Sequence, residues 1–453
     1  MVQMVQANAV LYWKCLETSK ADPRQFGPRL CPVGSFSLKL PRYEIEGPRC
    51  AKQRLGVVAA LYLAQGIPWG FATITLAALL AEQGVDAGAI GKLLAAVVLP
   101  WSFKFVGGPL VDGIRLPGGR RRPWILLAQM GMVATLIGLS QVGLASPDQL
   151  SAWLLAHNVF AALQDVATDA LAVDVMPERE RGRANGIMYG AKYGGTAIGG
   201  AGLALLIQHF DWSVGTLFQA VVVGSISAVP LLLREPDHDQ STKSSTTHWI
   251  ISLGELLHSR PFWWTLALCL VIGLPSALLT PLANTLFVEQ YGWTATSWAV
   301  LNGGPGVTAG LMGAVGGGFL VSRYGPGRIG ILAASAHAGT MLIFPLCPEL
   351  FHNKDIVSLT LVVQSAAAGA VTVGSFTLAM RVAPPVLAAS CFTALMAMQN
   401  LSTTSGYWAA NQMPSEPGTA WTIVAVIWCV VGLLSWQADR SAQRGELPTP
   451  SGQ

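Results

Sequence analysis

A set of long uncharged stretches constrains the fold of this chain more than any other feature. About 20 consecutive apolar residues cross a bilayer as a helix. Three such stretches are interrupted by charge: Gly88–Ile114, Leu150–Met176 and Ala184–Gln208. The pattern predicts an all-α integral membrane protein with twelve transmembrane helices. The nine uncharged stretches are Leu55–Ala81, Pro123–Pro147, Trp212–Leu233, Pro261–Val288, Gln290–Ser322, Ile329–Pro348, Ile356–Met380, Val382–Ser415 and Pro417–Ala438.

The composition agrees with a surface that faces lipid. Only 11% of the 453 residues are charged, against roughly 25% in soluble domains. This argues against a soluble enzyme, a disordered chain and a nucleic-acid-binding protein. The seven cysteines form no pair with metal-ligand spacing, so we expect free thiols, no metal site and no cofactor.

The positive charges predict the orientation. With the N-terminus in the cytoplasm, the inner segments hold 24 Lys and Arg residues and the outer loops hold only Lys354. Positive residues concentrate in cytoplasmic loops, so both termini are predicted to be cytoplasmic. The predicted organisation is a disordered extension (1–54), a six-helix half (55–233), a cytoplasmic linker (234–260), a second six-helix half (261–438) and a cytoplasmic tail (439–453).

An internal repeat relates the two halves. The Gly-Ile-Pro at 66–68 matches Gly-Leu-Pro at 273–275, and 172–177 matches 379–384, both 207 residues further on. Between them, 107–112 matches 317–322 at an offset of 210. Transporters often consist of two related halves, and parallel halves arise when each has an even number of spans.

Twelve spans arranged as six plus six are the architecture of the major facilitator superfamily. The motif Gly-Pro-Leu-Val-Asp at 108–112, followed by arginines at 120–122, resembles that superfamily's signature loop between spans two and three. The resemblance implies a cytoplasmic gate of Asp112, Arg120 and Arg121. In the second copy Ser322 replaces the acid, which weakens any equivalent latch there.

A closer resemblance joins the chain to the AmpG-type muropeptide permeases. The motifs that carry it lie within 55–235: Leu-Ala-Gln-Gly-Ile-Pro-Trp-Gly at 63–70, Leu-Pro-Trp-Ser-Phe-Lys-Phe at 99–105, Arg-Arg-Arg-Pro-Trp at 120–124, and Gln164-Asp165 with Asp169-Ala170. Relatives of that group include acetyl-CoA transporters and single-protein siderophore permeases. The resemblance implies a permease for a polar solute.

Charge inside the spans occurs only in the N-terminal half. Lys104, Asp165 and Lys192 lie about 12 to 13 Å from the predicted cytoplasmic ends of three helices, and Asp169 shares a helix face with Asp165. Lys92, near the outer end of its span, is expected to reach the interface. Intramembrane charges are costly and usually functional.

Two interpretations of these charges stay open. The lysines could neutralise the aspartates and lock the half together. Alternatively, Asp165 or Asp169 carries a coupling proton and Lys104 or Lys192 meets an anionic substrate. Other candidate substrate-binding residues are polar side chains in the spans: Gln65, Gln164, Asn302, Gln399 and Asn400.

The sequence therefore predicts a monomeric, proton-coupled importer in the bacterial cytoplasmic membrane. Its expected partners are a small-molecule substrate, a coupling proton and the lipid bilayer, with no nucleic acid. The resemblance places anhydro-muropeptides first among substrates, ahead of siderophores and of acyl-CoA-type export. A non-transporting receptor or assembly factor on the same fold is the alternative from another class.

Overall fold

The computed structural model describes residues 48–114, 116–144, 146–176, 178–233, 254–383, 388–414 and 416–444. Most of the predicted N-terminal extension and linker, and the end of the predicted tail, lie outside the described residues. These parts of the predicted organisation therefore stay predictions.

Twelve long helical segments follow one another through the described residues. Nine are long and apolar enough to cross a membrane. The other three are α4, α5 and α11. The segments are α1 (Ala51–Glu82), α2 (Ala87–Val111), α3 (Arg122–Ser140), α4 (Pro147–Val175), α5 (Glu178–Ala197, continued by Ile198–Gly202 and Leu203–His209), α6 (Trp212–Leu232), α7 (Arg260–Gln290), α8 (Ala295–Tyr324), α9 (Pro326–Leu346), α10 (Lys354–Val382), α11 (Ala388–Ala409) and α12 (Pro417–Gln443).

The all-α membrane architecture is thus confirmed, and nine of the twelve predicted spans meet the criteria of length and hydropathy. The helices pack in corresponding pairs within each half. In the first half α1 packs on α5, α2 on α4 and α3 on α6; in the second, α7 packs on α11, α8 on α10 and α9 on α12. Each half has its own large apolar core. The packing therefore follows the internal repeat.

Glycines allow α1 and α5 to touch along their backbones. A methyl group on Gly66 would lie 2.2 Å from the carbonyl oxygen of Lys192, and one on Gly70 would lie 2.2 Å from that of Thr196. Small residues permit such close approach between membrane helices. The contact fixes the height of Lys192 against the polar middle of α1.

The two halves meet toward one face of the membrane. Because the helices alternate in direction, α1 begins and α12 ends on the same face, which we call the termini face; the opposite one is the distal face. At the distal face, Glu82 accepts a hydrogen bond from the backbone N–H of Ala295 (2.9 Å). Nearer the middle, the hydroxyls of Ser102 and Thr404 are 3.3 Å apart.

Glycine contacts extend this junction of the halves. A methyl group on Gly303 of α8 would lie 2.4 Å from the backbone nitrogen of Ala201 in α5. Toward the termini face the same helix α5 has an open side, because a methyl group on Gly186, Gly190 or Gly194 would meet no atom within 4 Å. The junction is therefore close at the distal face and opens toward the termini face.

Candidate functional site

Four helices of the first half bring polar side chains to one region in the middle of the membrane. α1 contributes Tyr62 and Gln65, α2 contributes Lys104, α4 contributes three residues, and α5 contributes Lys192. The three on α4 are Gln164, Asp165 and Asp169. We call these seven residues the charged cluster. The structure thus brings together all the intramembrane charges that the sequence analysis singled out, apart from Lys92, which is exposed.

Lys104 and Asp165 form an ion pair between α2 and α4. The Nζ atom of Lys104 lies 3.5 Å from Oδ2 of Asp165, and the side chains are 20% and 5% exposed. Burying an ion pair costs desolvation that the mutual attraction only partly repays. The pair is therefore a costly arrangement that also links the two helices.

Asp169 is bound from a third helix. The hydroxyl of Tyr62 on α1 donates a hydrogen bond to Oδ1 of Asp169, and Tyr62 is buried. The ring of Tyr189 on α5 lies edge-on to that of Tyr62, with centroids 6.1 Å apart. The two aspartates of α4, one turn apart, thus have different neighbours: an ammonium group at Asp165 and a phenol at Asp169.

Gln65 and Gln164 are hydrogen-bonded to each other. The amide of Gln65 donates to Oε1 of Gln164 (2.7 Å), and that of Gln164 donates to the carbonyl oxygen of Leu61 (3.3 Å). Both glutamines are buried, and Oε1 of Gln65 has no partner within the residues described. This acceptor oxygen next to the ion pair can bind a donor group or water.

Lys192 lies against the ring of Trp101, a residue whose backbone contacts the other half. Its Nζ atom is 4.7 Å from the centroid of the Trp101 indole, a cation–π arrangement. The indole N–H of Trp101 donates to Oδ1 of Asn158 (3.1 Å), and the backbone oxygen of Trp101 accepts from Asn400 on α11 (3.1 Å). Asn400 therefore joins the two halves beside the charged cluster.

The two other candidates of the second half have different surroundings. Asn302 faces the space between the halves, although its amide donates to the backbone of Trp298 (2.8 Å). Gln399 donates to the hydroxyl of Ser375 (3.0 Å) and to Cys269 Sγ (3.6 Å). The Gln399 amide thus cross-links helices within its own half.

The termini face carries a separate ion pair in each half. Arg121, just before α3, lies 3.1 Å from Asp174 at the end of α4 and donates to the backbone oxygen of Val111 (3.3 Å). In the second half Arg381 lies 2.7 Å from Asp439 on α12. The predicted gate included Asp112, whose side chain is outside the described residues, and Arg120, which lies in the turn before α3.

Two cavities lie at and beside the junction of the halves. The central cavity, about 340 Å³, is lined from the first half by Trp69, Thr73 and Tyr193, and from the second by residues of α7, α8, α10 and α11. A smaller chamber of about 190 Å³ lies within the second half. Ligand sites are typically concave and mostly apolar with a few polar groups, which fits both.

Sequence reasoning missed Tyr62, Trp101 and Asp439. Tyr62 precedes Gln65 by three positions, which puts both on one helix face, so this spacing could have identified it. Asp439 was placed just beyond the last span, but α12 continues to Gln443. Cys269, Cys347, Cys391 and Cys429 are free thiols, and no cluster of metal-ligating side chains occurs in the described ranges.

Comparisons with known proteins agree with this architecture. The family model of the Major Facilitator Superfamily matches residues 58–407. Over 301 residues the chain is 28% identical to the anhydromuropeptide permease of Escherichia coli (strain K12), an alignment that covers 64% of this chain. The chain thus spans about 60% of the length of the curated relatives it matches. The resemblance to the muropeptide permeases is confirmed.

Solved structures with the same fold are more distant in sequence. A bacterial homologue of the human lysosomal transporter Spinster, in an inward-facing and occupied conformation, superposes with a TM-score of 0.68 at 13% identity, covering 90% of this chain and 100% of that chain. A D-xylose–proton symporter gives 0.67 at 14%, covering 86% and 98%. Family match and fold agree, so the protein is a multi-pass membrane transporter rather than an enzyme, and it belongs to the Major Facilitator Superfamily.

Proposed function

We propose that this transporter is a proton-coupled importer of a polar, partly anionic solute of the anhydro-muropeptide class. The observation that carries the proposal is the charged cluster, in which two lysines and two aspartates from three helices meet in the middle of one half. Lysines suit a carboxylate-bearing solute, and aspartates suit a proton. The similarity to the anhydromuropeptide permease of E. coli supports the choice of solute.

Competition between a substrate carboxylate and Asp165 for Lys104 would couple substrate binding to proton binding. When a substrate carboxylate binds the Lys104 ammonium, Asp165 loses the cation that now lies 3.5 Å away. A carboxylate in an apolar environment is stable as the neutral acid unless a cation is beside it. Asp165 would therefore bind a proton as the substrate binds Lys104, and substrate release would reverse both events.

Asp169, hydrogen-bonded to Tyr62, is the next group that could accept the proton from Asp165. Since α4 runs from the distal to the termini face, Asp169 lies one turn nearer the termini face than Asp165. Its hydrogen bond with the Tyr62 hydroxyl gives the proton a group to pass through. Lys192, over the Trp101 ring, is a second cation for an anionic substrate, and Gln65 and Gln164 are the amides beside it.

The orientation follows from the positive charges. The predicted inner segments hold 24 Lys and Arg residues against one in the outer loops, so the termini face is the cytoplasmic face. The open glycine side of α5 then faces the cytoplasm. In this state the structure would release an imported solute inward.

The predicted cytoplasmic gate fits the same orientation. Arg121 bonds both Asp174 and the backbone of Val111, the residue next to Asp112. We infer that Asp112, Arg120 and Arg121 hold the ends of α2, α3 and α4 together on the cytoplasmic face. The halves could then rock without disturbing helix packing within the first half.

Uptake by proteoliposomes tests the function. Purified full-length protein is reconstituted, an inward proton gradient is imposed, and accumulation of radiolabelled anhydro-muropeptide is compared with that of a ferric siderophore. We expect muropeptide accumulation that a protonophore abolishes. Siderophore accumulation without muropeptide uptake would contradict the substrate assignment, and gradient-independent equilibration would contradict proton coupling.

A further inference from the structure

The second half contains a chamber that the charged cluster does not explain. This side chamber has a volume of about 190 Å³ and is bounded by α7, α8, α9, α10 and α12. It shares Thr280, Asn284, Asn302, Ser365 and Ala368 with the central cavity. The side chamber is therefore a branch of the central cavity that extends into the bundle of the second half.

Two buried polar side chains in the side chamber have atoms without partners. Asn284 is 5% exposed; its amide donates to the Thr280 carbonyl (2.7 Å), but its Oδ1 has no partner within the residues described. His337 is 4% exposed, stacks on Trp428 with centroids 4.1 Å apart, and leaves Nδ1 equally without a partner. Buried polar groups are nearly always hydrogen-bonded, so these two atoms are suited to a group that enters.

Aromatic rings form much of the remaining wall. Phe287 stacks on Trp298 with centroids 4.7 Å apart, and both line the side chamber. Trp421 lines it as well and stacks on Phe344 at 4.7 Å. Aromatic walls with a few hydrogen-bonding groups bind rings that have apolar faces and polar edges, and sugar rings are of this kind.

The uncharged lining and the small volume of the side chamber limit which chemical group it can bind. No Asp, Glu, Lys or Arg side chain lines the side chamber or the central cavity in the described ranges of the chain. An ion would lack a counter-ion in either place, and desolvating it is costly. The volume is below the roughly 300 Å³ at which small-molecule pockets begin, so the chamber suits one ring of a larger ligand.

We propose that the side chamber binds an uncharged sugar ring of the transported ligand while the charged cluster binds its ionised part. Asn284 and His337 supply the hydrogen bonds, and Trp298, Trp421 and Phe287 supply the apolar faces. This inference rests on the proposed function, because a muropeptide joins a sugar part to a peptide part that bears carboxylates. The central cavity approaches the charged cluster through Trp69, whose ring lies edge-on to that of Trp101 with centroids 5.9 Å apart, and Lys192 lies over the Trp101 ring.

Equilibrium binding to the detergent-solubilised full-length protein tests the inference. The probes are anhydro-muropeptide, its sugar-free peptide, and a disaccharide of N-acetylglucosamine. The variants are Asn284→Leu, which keeps the size and removes the amide, and His337→Phe, which keeps the stack on Trp428. Thr285→Val is the matched control, because Thr285 is the next residue and, among the residues described, its hydroxyl bonds only to the α7 backbone at Pro281 and Leu282.

We expect both variants to raise the Kd of the muropeptide and of the disaccharide about tenfold, which corresponds to losing one hydrogen bond. The Kd of the sugar-free peptide should stay unchanged, and Thr285→Val should change none of the three. Unchanged sugar binding in both variants would overturn the inference, as would an equal loss for the sugar-free peptide. If Asn284→Leu fails to fold, His337→Phe alone decides.

The same measurements separate this inference from the proposed function. Wild-type protein that binds the disaccharide but not the muropeptide would contradict the proposed substrate, and a loss of that binding in the variants would still support the side chamber. Muropeptide binding that both variants leave intact would contradict the side chamber alone. Wild-type protein that binds no sugar-bearing probe overturns the inference together with the substrate assignment.

Discussion

The two halves share a packing scheme and differ in their chemistry. In the first half the middle of the membrane holds an ion pair, Lys104–Asp165, and a second aspartate bound by Tyr62. In the second half the described residues of the middle are neutral: Gln399 bonds Ser375, and Asn284 and Asn302 line cavities. A duplicated scaffold has thus kept the helix pairs while one copy holds the charge and the other holds uncharged groups.

The two halves also differ at the termini face, where corresponding positions carry opposite charges. Asp174 in the first half and Arg381 in the second occupy corresponding positions, 207 residues apart. Asp174 pairs with Arg121 before α3, whereas Arg381 pairs with Asp439 on α12, which also accepts from the backbone N–H of Gly327 at the start of α9 (3.1 Å). Both copies therefore hold an ion pair at this face, with opposite charges at the corresponding position and with partners on different helices.

Removing the carboxylate of the buried pair should have the largest effect on stability. Asp165→Asn leaves Lys104 as a buried cation without its counter-ion, and breaking one side of a buried ion pair costs about 3–5 kcal/mol. We expect poor expression and a strongly lowered melting temperature in detergent. The double variant Lys104→Met/Asp165→Asn should recover most of the loss. A single variant as stable as wild type would remove the ion pair from the description of the first half.

The sequence predicts some of the differences between the two halves and not others. Uncharged runs of about 20 residues predict helices because bilayer thickness fixes the length, and the restriction of charge to one half is visible directly. The sequence does not predict which charged side chains pair with each other. Spacing alone left Asp165 with Lys104 or Lys192 as possible partners, because the rotation of α2 and α5 about their axes depends on packing.

Two site features lie beyond sequence patterns for physical reasons. The pairing of Arg121 with Asp174 depends on where the turn before α3 returns to the end of α4, which no periodicity encodes. The side chamber arises where five helices of the second half fail to fill the space between them. Cavities result from side-chain volumes summed over several helices, so His337 looks like an isolated residue until the neighbours are placed.

The contact between the halves is expected to be sensitive to a single methyl group. In Gly303→Ala the new methyl would lie 2.4 Å from the Ala201 backbone nitrogen, and overpacking a close contact costs about 1–3 kcal/mol. We expect a lower melting temperature and slower uptake, because the distal closure is forced apart. Gly304→Ala is the matched control, since its methyl would meet no atom within 4 Å. Equal behaviour of the two variants would show that α5 and α8 do not form this closure.

Proton handling should depend on the first half alone. Asp169→Asn removes the titratable group but keeps an oxygen that can accept from the Tyr62 hydroxyl. We expect uptake driven by a pH gradient to fall at least tenfold, equivalent to about 1.4 kcal/mol, while counterflow exchange of substrate persists. Asp148→Asn, an exposed carboxylate at the distal start of the same helix, should leave both rates unchanged. Normal gradient-driven uptake by Asp169→Asn would leave Asp165 as the proton carrier.

The smallest expected effect on stability is that of replacing a neutral residue of the second half. This variant is the most direct test of whether the two halves differ in proton coupling. Gln399→Leu removes an amide that donates to Ser375 and Cys269, and the loss of such a hydrogen bond costs about 1 kcal/mol. We expect a slightly lower melting temperature with an unchanged pH dependence of uptake, because no titratable partner in the charged cluster depends on this amide. The same type of change in the first half, Gln65→Leu, breaks the bond to Gln164 beside Asp165 and should move the pH profile. A shifted profile in Gln399→Leu would mean that the neutral half takes part in proton coupling after all.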